Sequence, residues 1–131
     1  MVTLALLTTA LLFGGMVLYA FGFAAFLFTA LPPDVAGPTI RRAFPHFYLF
    51  VMAGSALAAA LLASHDGTGA ALLALIAITT LPTRQVLMPA INRATDHKQK
   101  ARFQILHGLS VFITLAHIGM AGYVLARFLN G

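Results

Sequence analysis

The chain has 131 residues, of which 60% are hydrophobic and only 8% charged. A typical soluble domain carries about 25% charged residues, so a soluble fold of this size would lack the polar side chains to cover its surface, and the bilayer becomes the solvent for most of the chain. The net charge of +5 resides mainly in short segments flanking apolar runs, which reads as a topology signal and a contact with anionic headgroups, not as a nucleic-acid interface. With no cysteine and no glutamate, and with Asp34, Asp66 and Asp96 as the only acids, disulfides, thiolate metal sites and cysteine nucleophiles are excluded.

A spanning helix needs about 20 apolar residues, and four segments meet that length. The first covers residues 3–30. It lacks the basic start of a signal peptide and is far longer than the ~7–15 residues of such a peptide's apolar region, so it is expected to remain as the first span. The stretch 31–44, with Pro32, Pro33, Gly37 and Pro38, is expected to be the only long connection. The second helix is placed at residues 45–63, followed by a short, breaker-rich link, and the third at residues 70–91. Residues 92–95 form the next link. Asp96 and Gln99 resemble a capping box at the start of the fourth helix, residues 97–129.

Short links make sequential helices antiparallel neighbours, giving a single all-α domain over residues 1–131: an integral membrane four-helix bundle, up and down. Arg41, Arg42, Arg93, Lys98, Lys100 and Arg102 lie at the first and third links, while only Arg127 lies at the opposite end. The positive-inside rule then sets both termini on the periplasmic side of a bacterial inner membrane. Small residues at packing spacing, namely Ala10 and Gly14, Gly54 and Ala58, and Ala116, Gly119 and Gly122, are expected to let helices approach closely. Met16, Met52, Met88 and Met120 fall at different depths and read as core.

Pro82 should kink the third helix, with nearby threonine hydroxyls taking the carbonyls so freed. Arg84 then lies near the bilayer centre, where a charge costs about 2.5–3.5 kcal/mol on insertion scales. Three outcomes are open for it: snorkelling to the headgroups, bonding to carbonyls or to Asp34, or holding an anion such as a lipid phosphate or a propionate. On the fourth helix, His107, Ser110, Thr114, His117 and Ala121 follow a 3-4-3-4 spacing that puts them on one face. That polar stripe should face the interior, as interhelical glue or as a ligand or proton site. His46 enters at the same level as His107. Two imidazoles on facing helices beside Arg84 would suit haem b, making His46, Arg84, His107 and His117 the candidate cofactor residues. His107 and His117 are about 15 Å apart along the helix, too far to share one metal ion.

Phe44-Pro45-His46-Phe47-Tyr48, Leu87-Met88-Pro89-Ala90-Ile91-Asn92 and Phe103-Gln104-Ile105-Leu106-His107-Gly108-Leu109-Ser110 resemble the bacterial members of the transmembrane protein 205-like family, four-helix membrane domains of uncharacterised function. The resemblance implies the fold and membrane location and draws attention to Pro89 and Asn92. More distantly the chain is similar to the copper resistance D-like group, which includes a haem-containing oxidase; the histidine that oxidase carries in its first helix has no counterpart in residues 3–30. There is no carboxylate pair, Ser–His–Asp set, phosphate loop or zinc-protease motif, so a catalytic site is not expected. Three readings stand: an accessory subunit or binding module of a larger membrane complex, a haem- or metal-binding protein, and a transporter of a small solute or metal.

Overall fold

The structure, a computed structural model, describes residues 1–130. Among these, all regular structure is helical and forms four long rods: α1 (Val2–Ala30), α2 (Pro33–Leu62), α3 (Gly67–Asp96) and α4 (Lys100–Leu129). Each is long and apolar enough to cross a membrane. Large apolar side chains point outward along all four, among them Leu11, Leu57, Ile78 and Phe112. In water so large an exposed apolar surface would drive aggregation. In lipid it is the solvated face.

Three boundaries differ from the sequence expectation. The long first connection does not exist: α2 begins at Pro33, and Leu31 and Pro32 alone link it to α1. Pro32 is extended, Pro33 occupies the first helical turn, where its missing N–H costs nothing, and Asp34 suits the positive end of the helix. Pro38 and Pro45 are then carried inside the helix, each removing one backbone bond. At the next link, Asp66 caps α3, its Oδ1 accepting from the Gly69 amide at 3.1 Å, so α3 begins at Gly67.

The third boundary is the sharpest correction. Residues 92–95 are helical, and α3 continues to Asp96. It stops because Lys98 adopts φ 54°, with its N–H on the Thr95 carbonyl and the Gln99 N–H on the Ala94 carbonyl. This double bond pattern is the Schellman ending, normally built on glycine. The expected capping box is not formed: Gln99 precedes α4 without a side-chain cap, and the Asp96 carboxylate bonds Arg41 instead.

Two helices contain a wider π-type turn: Leu18–Phe23 in α1 and Thr83–Leu87 in α3. The second directly follows Pro82, so the expected irregularity takes this form. Thr83 relieves part of it as expected: its N–H turns to the Thr80 carbonyl and its hydroxyl takes the Thr79 carbonyl so freed. Thr79 and Thr80 donate to Leu75 and Ile76, and none takes Ile78, whose carbonyl Pro82 leaves without its usual donor.

Below these turns, toward Asp66 and Arg127, the helices pack tightly. Leu12, Met16, Val51, Ala58, Leu73, Ile76, Ala121 and Val124 are at most 1% exposed. Of the small residues singled out, Gly54 faces Leu12, Gly122 faces the Phe13 ring and Ala58 is buried. Ala10, Gly14, Ala116 and Gly119 face outward. The closest approach is at an unanticipated position, Gly15, where a Cβ would come within 2.6 Å of the Phe50 ring.

The rods are also longer than a bilayer needs. A 30 Å hydrocarbon layer takes about 20 helical residues, whereas each helix has 29 or 30. At the Asp66–Arg127 end polar groups stand at the helix tips. At the other end they reach far inward, with Arg41, Arg42, Asn92, Arg93 and Asp96 inside α2 and α3 and Arg102, Gln104 and His107 inside α4. The surplus, about ten residues or ~15 Å, lies at the end formed by the 31–32 and 97–99 links, where α1 stays apolar through Phe28 while α2, α3 and α4 turn polar.

Candidate functional site

At that end the four helices enclose a cavity of about 550 Å³. Its walls come from Ala20, Phe21, Ala24 and Phe28 of α1, from Gly37 to Phe44 of α2, from Ile91, Asn92, Thr95 and Asp96 of α3, and from Phe103, His107, Ser110, Val111 and Thr114 of α4. The breaks in the helices explain where it begins. The π-type turn of α1, Pro45 of α2 and the π-type turn of α3 lie about 16 to 22 residues from the Asp66–Arg127 end, and irregular turns redirect a helix axis. Below them the core is closed; above them the cavity opens.

Half of the lining is alanine, phenylalanine, isoleucine and valine, with the charged groups gathered toward the link end. There Arg41 bridges α2 to α3: its Nη2 donates to Asp96 Oδ1 at 2.9 Å and to the Asn92 carbonyl at 3.2 Å, and its Nη1 to Asp96 Oδ2 at 3.4 Å. The imidazole of His107 stacks on the Phe103 ring, centroids 5.3 Å apart and planes within 8°. Tyr19 donates to the Ala43 carbonyl and stacks on Phe47, joining α1 to α2.

The stripe on α4 divides. His107, Ser110 and Thr114 line the cavity. His117 lies deeper, 7% exposed, with Nε2 2.7 Å from Thr79 Oγ1. Thr79 has one hydroxyl proton, and the Leu75 carbonyl takes it at 2.7 Å. Thr79 therefore accepts from His117, which fixes the neutral Nε2–H tautomer and makes this contact a link between α3 and α4.

The four candidate cofactor residues do not meet. His46 is exposed and does not line the cavity; Arg84 donates from Nε to the Pro45 carbonyl at 3.2 Å. Of the outcomes open for Arg84, the structure places it on a carbonyl. About 20 residues counted from Gly67 also reach Val86, so Arg84 sits within a turn of the hydrocarbon edge, where its charge is cheaper than at the centre. Of the two histidines expected at one level, His107 lines the cavity and His46 does not. No group of three histidine or acidic side chains among the described residues is placed to hold a metal ion.

Sequence reasoning missed both ion pairs. At the far end Arg127 grips Asp66 with two bonds, Nε to Oδ2 at 2.7 Å and Nη2 to Oδ1 at 2.8 Å, with Tyr123 alongside. Hydrogen bonds from Arg127 and from the Gly69 amide hold the Asp66 carboxyl down at about 2. The signal was present in the expected up-and-down arrangement, which brings the start of α3 and the end of α4 to one level. Arg41 was hidden by its loop assignment and Asp96 by its reading as a helix cap.

A helical chain with four membrane-length apolar segments is a multi-pass membrane protein. More specifically, residues 7–100 match the family described as a domain of unknown function (DUF4149), and the chain belongs to that family. The match spans α1 to α3 and ends where α4 begins. Comparison with curated proteins and with solved structures gives no match.

Proposed function

We propose that this protein is a non-catalytic membrane binding module that holds one amphiphilic molecule drawn from the bilayer. The observation that carries this reading is the cavity: 550 Å³, within the ~300–1,000 Å³ of small-molecule sites, apolar along α1 and polar where Arg41, Asp96, Asn92 and His107 gather. Phe21 and Phe28 are lining residues that are also exposed on the outer surface, so the space communicates sideways with lipid between α1 and α4. An amphiphile entering there keeps its tail in hydrocarbon and brings its head to the polar pole.

The surrounding orientation follows the charge pattern. Alternation of the helices, with Leu12 beside Gly54 and Tyr19 beside Ala43, supports the antiparallel arrangement. The basic residues at the 31–32 and 97–99 links put the cavity on the cytoplasmic side of a bacterial inner membrane and the termini on the periplasmic side. The module would serve a larger membrane assembly or stand alone; the resemblance to the transmembrane protein 205-like family accords with either.

Quenching tests this reading. The chain has no tryptophan, so Val111→Trp supplies a reporter in the cavity and Tyr123→Trp one on the outer surface. In nanodiscs, a trace single-chain alcohol brominated in its tail should quench the first saturably and the second only in proportion to its mole fraction. Proportional quenching at both positions defeats the proposal.

A further inference from the structure

Resting on the cavity reading above, we infer that the site selects an uncharged lipid whose head presents hydroxyl or carbonyl oxygens, and rejects anionic and cationic heads. Two independent features carry this. The first is charge. Among the described lining residues Arg41 and Asp96 are the formally charged ones, with the His107 imidazole in the same wall. The two already neutralise one another through two parallel bonds, with the Asn92 carbonyl taking a further Arg41 proton. An anionic head would have to displace Asp96 from Arg41 or sit beside its carboxylate, and a cationic head would meet the same obstacle at Arg41. A charged head that reached Thr114, deeper than this pair, would leave water there without a compensating partner, which is costly.

The second feature is an unused hydroxyl. Nine serine and threonine hydroxyls in these helices fold back onto a carbonyl three or four residues earlier: Thr8, Thr9, Thr29, Thr39, Ser55, Thr79, Thr80, Thr83 and Thr95. This is how a hydroxyl satisfies itself in lipid. Thr114 does not. It is 8% exposed and lines the cavity, yet its hydroxyl makes no such bond and is not sealed among protein atoms. It opens into the cavity about four residues inside the hydrocarbon edge, where no bulk water supplies a partner. Ser110, one turn away beside the Tyr48 phenol, lines the same wall. A hydroxyl both donates and accepts, so this pair fits a neutral oxygen from the ligand. Membranes offer that chemistry in two forms, the ring carbonyls of prenyl quinones and the free hydroxyl of diacylglycerols.

The test uses the full chain in nanodiscs and sixteen-carbon photoactivatable probes that share one tail and differ in the head: hydroxyl, carboxylate, phosphate or trimethylammonium. The hydroxyl probe should label α1 between Phe21 and Phe28 about tenfold more than any charged probe. Thr114→Val should lower its labelling about fivefold, the loss of one hydrogen bond of ~1 kcal/mol. Asp96→Asn leaves Arg41 unpaired and should turn the preference toward carboxylate. Equal labelling by charged and uncharged heads, or a carboxylate preference already in the wild type, overturns the inference while leaving the cavity reading intact. No saturable labelling with any head defeats the cavity reading itself. Competition by a short-chain prenyl quinone or by dioctanoylglycerol supports the inference and names the source; competition by neither overturns it.

Discussion

Each end of the bundle is clasped by one arginine–aspartate pair, yet the two ends are built differently. At the Asp66–Arg127 end the pair is two-thirds or more buried, is reinforced by the helix cap on Gly69, and closes a core in which Leu73 and Ile76 are fully enclosed. At the Arg41–Asp96 end the pair is more exposed, at 39% and 56%, and stands over a cavity. The contrast shows where a small membrane domain keeps its stability and where it leaves room. With no hydrophobic force between helices in lipid, association rests on close packing. Beyond the level where the helices are broken, that packing is interrupted by the cavity. The space gained there is lined with groups that a ligand can use.

The largest expected effect separates the two ends by packing. Leu73→Ala removes a fully buried side chain and should cost about 2–5 kcal/mol in detergent unfolding. Phe21→Ala, at the half-open cavity wall, should cost less than about 1 kcal/mol; equal losses would erase the distinction. Next comes acid sensitivity of the closed end. The Asp66 carboxyl is held at about 2, below its ordinary value of 3.8, so its contribution is complete above pH ~4 and is lost as pH falls toward about 2. Thermal unfolding should therefore drop between pH 5 and 2.5 in the wild type, and Arg127→Leu should be less stable at pH 5 and show less of that drop.

A smaller effect of opposite sign is expected at the link between α3 and α4. Lys98 holds a left-handed conformation at φ 54° that costs a residue with a side chain roughly 1–2 kcal/mol. Lys98→Gly should raise stability by about 1 kcal/mol, and a loss would show that the lysine side chain contributes more than its backbone costs. The smallest stability change should follow from Asp96→Asn, since exposed ion pairs are worth about 0–1 kcal/mol. A large loss there would mean that the open end depends on its ion pair as the closed end does on its core.

Much of the fold was legible because the bilayer imposes a simple length rule, and Val2–Ala30 differs from its expected span by a single residue. Reading failed where one residue type carries two meanings. Pro33 and Pro38 suggested a loop, but a proline in the first turn starts a helix as readily as it ends one. Asn92 to Thr95 suggested a link because they are polar, but polar residues in the last turns of a membrane helix are simply solvated at the interface. The site was half legible: the spacing of His107, Ser110 and Thr114 identified their shared face. It could not show that His117 would be consumed by Thr79, or that His46 would turn outward. Those outcomes depend on helix rotation, which the π-type turns at Leu18–Phe23 and Thr83–Leu87 reset and no local sequence rule announces.

The account turns on whether the open end holds a molecule. Native mass spectrometry of the protein released from its own membranes, beside Ala24→Phe, which fills the cavity, and Gly14→Ala, which faces open space on the outer surface, puts that question directly. The account predicts one retained lipid per chain in the wild type and in Gly14→Ala, and none in Ala24→Phe. Equal retention by all three, or retention by none, would contradict it.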